Sequence, residues 1–81
     1  MESLAAIIKE ISAFTKDNIV DANLVFDETS SFKELGVDSF SVIQIVLFIE
    51  RTYNVSMTDK DLTADNLSSI KALAEFTLKC I

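Results

Sequence analysis

Hydrophobic residues recur at helical spacing in three separate stretches of the chain. In the first, from Glu2 to about Lys16, the apolar residues fall three or four positions apart: Leu4, Ile7, Ile8, Ile11 and Phe14. Residues with this spacing lie on one face of a helix. The third stretch, from Leu67 to about Lys79, repeats the pattern. The sequence therefore predicts an amphipathic helix towards each end of the chain.

The middle stretch, from Asp38 or Ser39 to about Tyr53, is apolar around nearly its whole circumference. Its apolar residues are Val42, Ile43, Ile45, Val46, Leu47, Phe48 and Ile49. Such a run could also be a buried strand, but its length and the capping residue Asp38 favour a helix. A helix that is apolar all round is usually central. We expect Ile45, Val46 and Ile49, with Tyr53 further on, to face inward.

Two connections separate the three predicted helices. The first, from Asp17 to Gly36, is rich in residues that favour turns, yet apolar residues punctuate it. We expect it to pack over the core, with a short helical turn near Phe32 to Leu35. In the second connection, Thr58 to Leu62 is predicted to form a short helix capped by Thr58. The sequence thus predicts an all-α fold, a small bundle of three main helices and one short helix, in a single domain over residues 1–81.

Composition and charge exclude several classes of function. The net charge is −6 and the seven basic residues form no cluster, so nucleic acid is not an expected partner. Histidine is absent and Cys80 is the sole cysteine, which removes the usual catalytic triads and zinc sites. We expect no catalytic residue and no metal site.

The same composition bears on where the protein works. No apolar stretch reaches the length of a membrane span, and the opening "MESLAAIIKEI" lacks the basic segment of a secretory signal. We therefore expect a monomeric protein of the cytoplasm.

Ser39 stands at the point where the first connection becomes the central helix. Asp38 and Ser39 are both good capping residues for the orphan N–H groups of that helix. A catalytic serine would need the Gly-x-Ser-x-Gly pattern and a histidine, and both are missing. A phosphate ester on Ser39, however, would be stabilised by the free N–H groups and the helix dipole. The residues leave two readings open, a helix cap and a modification site.

The segment "LGVDSFSVIQIV" resembles the attachment motif of the acyl carrier protein family, the carrier domains of fatty acid, polyketide and nonribosomal peptide synthesis. The family pattern is Leu-Gly-x-Asp-Ser-Leu, followed by an amphipathic helix. Leu35, Gly36, Asp38 and Ser39 match, and Phe40 replaces the usual leucine or methionine. The resemblance extends over essentially the whole chain, including the long first connection, the short third helix and the acidic balance.

The resemblance implies a cofactor and a set of partners. A phosphopantetheinyl transferase would move 4′-phosphopantetheine from coenzyme A onto the hydroxyl of Ser39, and the thiol of that arm would carry an acyl group as a thioester. Asp38 would help to position the serine, with Gly36 and Phe40 beside it. Acyl-loading enzymes, ketosynthases or other pathway enzymes would act on the cargo, and the chain itself would not be an enzyme.

The resemblance also implies a docking surface and an acyl pocket. Partners are expected to contact residues along the second helix: Ser41, Gln44, Leu47, Phe48 and Arg51. Phe48 could equally be a core residue. An acyl chain is expected near another apolar set, which could equally just fill the core: Phe32, Val46, Leu47, Met57 and Ile70.

The second helix departs from the usual family pattern in its charge. Carriers of primary fatty acid synthesis bear several acids along this helix, whereas here only Glu50 is acidic. We therefore expect a specialised fatty acid, polyketide or other secondary-metabolite pathway, with docking that is more apolar and less sensitive to salt. Three alternatives stay open: a carrier of primary fatty acid synthesis, an aminoacyl carrier (peptidyl or D-alanyl), and a helical interaction module in which Ser39 is only a cap.

Overall fold

The computed structural model describes residues 3–21 and 23–81, and three helices make up its regular structure. Helix α1 is Leu4–Asn18, α2 is Ser39–Tyr53 and α3 is Ile70–Cys80. Within the described ranges no strand forms, and the one extended pairing is an isolated bridge between Ser31 and Ser69. The prediction of an all-α fold is confirmed.

Each helix begins after a side chain that accepts a hydrogen bond from its first turn. The N–H of Ala6 donates to the hydroxyl of Ser3 before α1, and the N–H of Ala72 donates to the hydroxyl of Ser69 before α3, at 3.2 and 3.1 Å. Helix α3 therefore starts at Ile70, three residues later than predicted. Glu2, where α1 was predicted to start, lies outside the described residues.

The core is built chiefly from the inward faces of the three helices. Helix α1 packs against both α2 and α3. The buried apolar residues come from all three helices and both connections: Ile7, Ile11, Phe32, Val42, Ile45, Val46, Ile49, Met57, Ile70, Leu73 and Ala74. Of the predicted inward set of α2, Ile45, Val46 and Ile49 are at most 3% exposed, as predicted, and Tyr53 is half-buried against the core.

The first connection is fastened to the start of α3. The N–H of Phe32 donates to the carbonyl of Ser68 at 2.9 Å, and the N–H of Lys71 donates to the carbonyl of Glu28 at 2.8 Å. The N–H of Leu35 bonds back to the carbonyl of Ser31 at 3.1 Å, which makes the predicted helical turn. With Phe32 buried, the connection packs over the core as the sequence indicated.

The predicted fourth, short helix over Thr58 to Leu62 is not confirmed. The N–H and the hydroxyl of Thr58 both donate to the carboxylate of Asp61, each at 3.0 Å, and the N–H of Asp61 returns to the carbonyl of Thr58 at 2.9 Å. Side chains thus satisfy the backbone in a single closed turn. Since a helix so short gains too few hydrogen bonds to offset its nucleation, the segment ends as a turn, and the described chain has three helices.

Candidate functional site

Ser39 is the first residue of α2, and Asp38 is the residue that caps the helix. The backbone of Asp38 is extended, with φ −79° and ψ 170°, and its carboxylate accepts a hydrogen bond from the N–H of Ser41 at 2.8 Å. Ser39 is exposed, and its hydroxyl bonds to no described residue. The capping therefore falls to Asp38, and the Ser39 hydroxyl forms no bond with the residues that the structure describes.

The start of α2 favours negative charge. The pKa of the Asp38 carboxyl lies below its ordinary value because the N–H of Ser41, and then the Ser41 hydroxyl, donate to its ionised form. The free N–H groups of the first turn and the helix dipole add a positive potential at the same end. An anion carried by Ser39 would therefore lie in a favourable field.

Gly36 shapes the approach to this helix end. Its φ is +74°, in the left-handed region that side chains rarely adopt, and its N–H donates to the carbonyl of Lys33 at 3.2 Å. No atom lies within 4 Å of where a Cβ would stand. Glycine is thus needed here for the backbone turn and not for a close approach, and the turn brings Asp38 and Ser39 to the surface.

An open cleft of about 520 Å³ lies beside Ser39. Asp38 and Ser39 line it together with apolar residues from the first connection, α2 and the turn before α3: Phe32, Val37, Val42, Ile43, Ala64 and Leu67. A flexible group attached to the Ser39 hydroxyl would therefore find apolar surface next to its attachment point. These contacts fit an arm with a phosphate at one end and an acyl chain at the other.

The structure brings together only part of the predicted acyl pocket. Phe32 lines the cleft, whereas Val46, Met57 and Ile70 lie in the closed core with at most 9% of each residue exposed. Leu47 is 55% exposed and lines a different groove, because at this position the helix turns its side chain away from the core. Its place in an acyl pocket stays a prediction.

Sequence reasoning missed the residues that line most of the cleft. Val42 and Ile43 lie three and four positions after Ser39, so helical spacing alone would have put them on its side of α2. Ala64 and Leu67 come from a turn far along the chain, and no local pattern marks them. Their position depends on the bonds between the first connection and the start of α3.

The predicted docking residues divide into exposed and packed groups. Gln44, Leu47 and Arg51 are exposed on α2, and Ser41 is half-buried. Phe48 is also half-buried and stacks on Phe14, with ring centroids 4.3 Å apart. The structure thus turns the Phe48 ring towards α1. In its place Phe40, 71% exposed, and Ile43, 37% exposed, present apolar surface on α2.

The described residues form neither a metal site nor a membrane-spanning helix. Among residues 3–21 and 23–81, no group of three or more acidic or cysteine side chains could hold a metal ion. None of the helices in these ranges is long and apolar enough to cross a bilayer.

The chain is similar to known carrier proteins in sequence and in fold. Residues 2–77 match the family described as "Phosphopantetheine attachment site". The acyl carrier protein of Syntrophobacter fumaroxidans is 24% identical over 79 residues, which is 98% of this chain and 95% of that protein. Acyl carrier protein 4 of Arabidopsis thaliana, a chloroplastic protein, is 28% identical over 88% of this chain and 51% of its own length. A crystal structure of the Thermotoga maritima acyl carrier protein superposes with a TM-score of 0.74, at 27% identity, covering 95% of this chain and 88% of that one.

A helical domain with a phosphopantetheine attachment site defines a class of carrier, and the chain belongs to the acyl carrier protein family. Members of this family are carriers and not enzymes, and 4′-phosphopantetheine is their prosthetic group. The family resemblance of the sequence is confirmed. Because the relatives include chloroplastic and mitochondrial proteins that this chain matches over about half of their length, a cytoplasmic location stays a prediction.

Proposed function

We propose that this single-domain chain holds acyl intermediates as thioesters on a 4′-phosphopantetheine arm esterified to Ser39, and presents them to other enzymes. The observation that carries the proposal is the free, exposed hydroxyl of Ser39 on the first turn of α2, with the neighbouring Asp38 already used as the cap. When bound, the prosthetic group supplies a terminal thiol, which the chain itself lacks at this site.

The chain's own residues prepare the attachment point. A phosphopantetheinyl transferase is the proposed first partner. The Ser39 oxygen would form a bond to the phosphorus next to the pantetheine, its proton would pass to a base of the transferase, and the pyrophosphate bond of coenzyme A would break, so that adenosine 3′,5′-bisphosphate leaves. The negative phosphodiester then lies at the positive end of α2, which favours it by ~0.3–1 kcal/mol. Asp38 holds the first turn in place and Gly36 sets the turn before it, so both act by positioning the serine.

The cleft beside Ser39 offers apolar contact for cargo. Phe32, Val42 and Leu67 line it, and burying a methylene group there would contribute about 0.8 kcal/mol. Val46, Met57 and Ile70 lie in the core, so cargo would reach them only if the helices part. We propose that short acyl groups occupy the cleft and that longer ones extend towards these core residues.

The charge of α2 supports a specialised pathway. Its exposed face combines Phe40, Ile43 and Leu47 with a single basic residue, Arg51, and no exposed acid between Ser39 and Arg51. A ketosynthase or acyl-loading enzyme that docks here would bury apolar surface and depend little on salt. We propose that the chain works as a monomer with dedicated enzymes of a fatty acid, polyketide or secondary-metabolite pathway.

The test is the intact mass of the chain after incubation with coenzyme A, magnesium and a phosphopantetheinyl transferase of broad specificity. The parent should gain one phosphopantetheine, Ser39→Ala should gain none, and the matched control Ser12→Ala, a serine on α1, should still be modified. Because Asp38 is the cap, Ser39→Ala should change the free energy of unfolding by less than about 0.5 kcal/mol. No gain in the folded parent, with this transferase and a second of different specificity, would favour an interaction module without a prosthetic group.

A further inference from the structure

One stripe of α2 is exposed, apolar and free of acids. Phe40, Ile43, Leu47 and Arg51 follow one another at intervals of three and four residues, so they lie along one side of the helix. Phe40 is 71% exposed, Leu47 55% and Ile43 37%. We call these four residues the α2 stripe. An apolar stripe that a small protein leaves in water indicates an interaction surface.

Arg51 is the one charged residue of the α2 stripe, and no carboxylate in the described ranges pairs with it. The carboxylate of the neighbouring Glu50 accepts a hydrogen bond from the N–H of Met57 at 2.8 Å and so braces the turn after α2. Arg51 is exposed and forms no ion pair with any residue in the described ranges. Its guanidinium is therefore available to a partner.

A groove of about 730 Å³ lies beside the C-terminal half of the α2 stripe. Phe14 of α1 contributes to its lining, as do Leu47 and Arg51 of the stripe and Val55 of the turn after α2. The groove thus places apolar surface directly next to the free guanidinium. Glu50 also lines it, but its carboxylate is held by the bond to Met57.

We propose that the α2 stripe docks an enzyme surface that presents apolar side chains to Phe40, Ile43 and Leu47 and a carboxylate to Arg51. A partner with a lysine or arginine at this point would set two cations against each other. A wholly apolar partner would bury the guanidinium without a counter-charge, which is costly. A carboxylate satisfies it, with up to two parallel hydrogen bonds.

The negative charge of the rest of the molecule makes the pairing of Arg51 with a carboxylate more specific. The chain carries a net charge of −6, so an acidic partner residue is repelled from most of the surface and accepted at Arg51. Because the partner's carboxylate is attracted at Arg51 and repelled elsewhere, it determines where along α2 the partner docks. The inference rests on the proposed function for the identity of the partner as a pathway enzyme, but the surface itself exists without the arm.

The test uses two synthetic helical peptides, stapled so that they need not fold on binding. Both carry the same stripe of leucines at helical spacing, and they differ at one flanking position, which is Glu in one and Lys in the other. Each is titrated into the isotope-labelled chain without its arm, and NMR shifts give the site and the Kd. The Glu peptide should shift resonances between residues 40 and 51 and bind about two- to fivefold more tightly than the Lys peptide.

Two pairs of variants test the charge and the apolar parts separately. Arg51→Glu should reverse the preference between the peptides, whereas Lys71→Glu, the same change of charge on α3, should leave it as in the parent. Leu47→Ala should weaken the Glu peptide about three- to tenfold. Its control, Leu78→Ala, removes a comparably exposed leucine from α3 (40% exposed) and should have no effect.

Several results would overturn the proposal: no binding of either peptide, equal affinity for the two, or shifts that map away from α2. Because the titration is done without the arm, these results are independent of the mass gain at Ser39. If the chain gains phosphopantetheine but shows no preference between the peptides, the proposed carrier function stands and the proposed docking surface is wrong. If the chain shows the preference but gains no mass, the proposed docking surface stands and the proposed carrier function is wrong.

Discussion

At the scale of single residues, Asp38 and Ser39 divide the work at the start of α2. Both are good capping residues, and they are adjacent, so a shift of one residue in the helix start would exchange their functions. The structure fixes the start by the bond from the N–H of Ser41 to the Asp38 carboxylate. The free hydroxyl of Ser39 is thus a consequence of which of two neighbours accepts that N–H.

Asp38 should make the stability of the fold sensitive to acid. Its pKa is lowered in the folded chain because the N–H and hydroxyl of Ser41 donate to the carboxylate. A lowered folded pKa means that this stabilisation is fully present above the unfolded pKa, about 3.9, and is lost as the pH falls through the folded pKa. Asp38→Asn keeps an acceptor but does not titrate, so its urea midpoint should fall less steeply below about pH 4 than that of the parent.

The control for this measurement is Asp59→Asn. The carboxylate of Asp59 accepts no hydrogen bond from a described residue, so this variant should follow the parent's profile. Some acid sensitivity should persist in Asp38→Asn, because the hydroxyl and N–H of Thr29 also lower the pKa of Asp27. Identical profiles for the parent and Asp38→Asn would show that the cap bond does not favour the ionised form.

At the scale of the elements, the three helices follow from the spacing of apolar residues, but their ends do not. Apolar residues at helical spacing, such as Ile7 and Ile11, are buried in any compact fold of the chain, so their periodicity predicts the helix. A helix end depends on which of several polar neighbours accepts the first N–H, and at the start of α3 that neighbour is Ser69. Local hydrogen bonds between Thr58 and Asp61 likewise closed a turn where a helix was predicted.

Phe48 shows how packing between elements decides between two functions. It was predicted as a docking residue that could equally be core, and its ring stacks on Phe14 of α1 with an interplanar angle of 19°. We expect a double-mutant cycle of Phe14→Leu and Phe48→Leu, measured by urea unfolding, to show a coupling of about 0.5–1.5 kcal/mol. The stacked pair is lost in either single variant, so the second substitution should cost less than the first.

A second cycle serves as the comparison. Phe26→Leu with Phe48→Leu pairs two partly buried phenylalanines that have no ring contact, so their effects should be additive within about 0.5 kcal/mol. Additive effects in the Phe14–Phe48 cycle as well would mean that the stacked pair does not stabilise the fold. Phe48 would then be more readily available to a partner.

At the scale of the whole molecule, the candidate site lies where parts distant in the sequence meet. Phe32, Val42 and Leu67 line one cleft, although they come from the first connection, from α2 and from the turn before α3. The motif around Ser39 is readable in the sequence because it is contiguous. The cleft is not, because it requires the first connection to bond to Ser68 and Lys71 across the molecule. The family and its motif could therefore be predicted from the sequence, while the lining of the cleft could not.

The charge of the whole molecule leads to the last prediction. The net charge is −6, and no two residues in the described ranges form an ion pair, so the acids mainly repel one another in the compact state. Added salt screens that repulsion. The Tm should therefore rise when NaCl is raised from about 10 mM to about 200 mM, a range in which the Debye length falls from about 30 Å to below 10 Å.

Glu34→Lys tests the cause of this salt effect. Glu34 is exposed and makes no side-chain bond to a described residue, so the variant relieves repulsion without breaking a contact. It should have a higher Tm than the parent at low salt and a smaller rise with NaCl, so that the two chains converge at about 200 mM. A Tm that falls with salt would show that attraction between unlike charges stabilises the fold. The acidic residues would then stabilise the fold through attraction to basic residues. They would not supply the repulsion that the proposed docking at Arg51 requires.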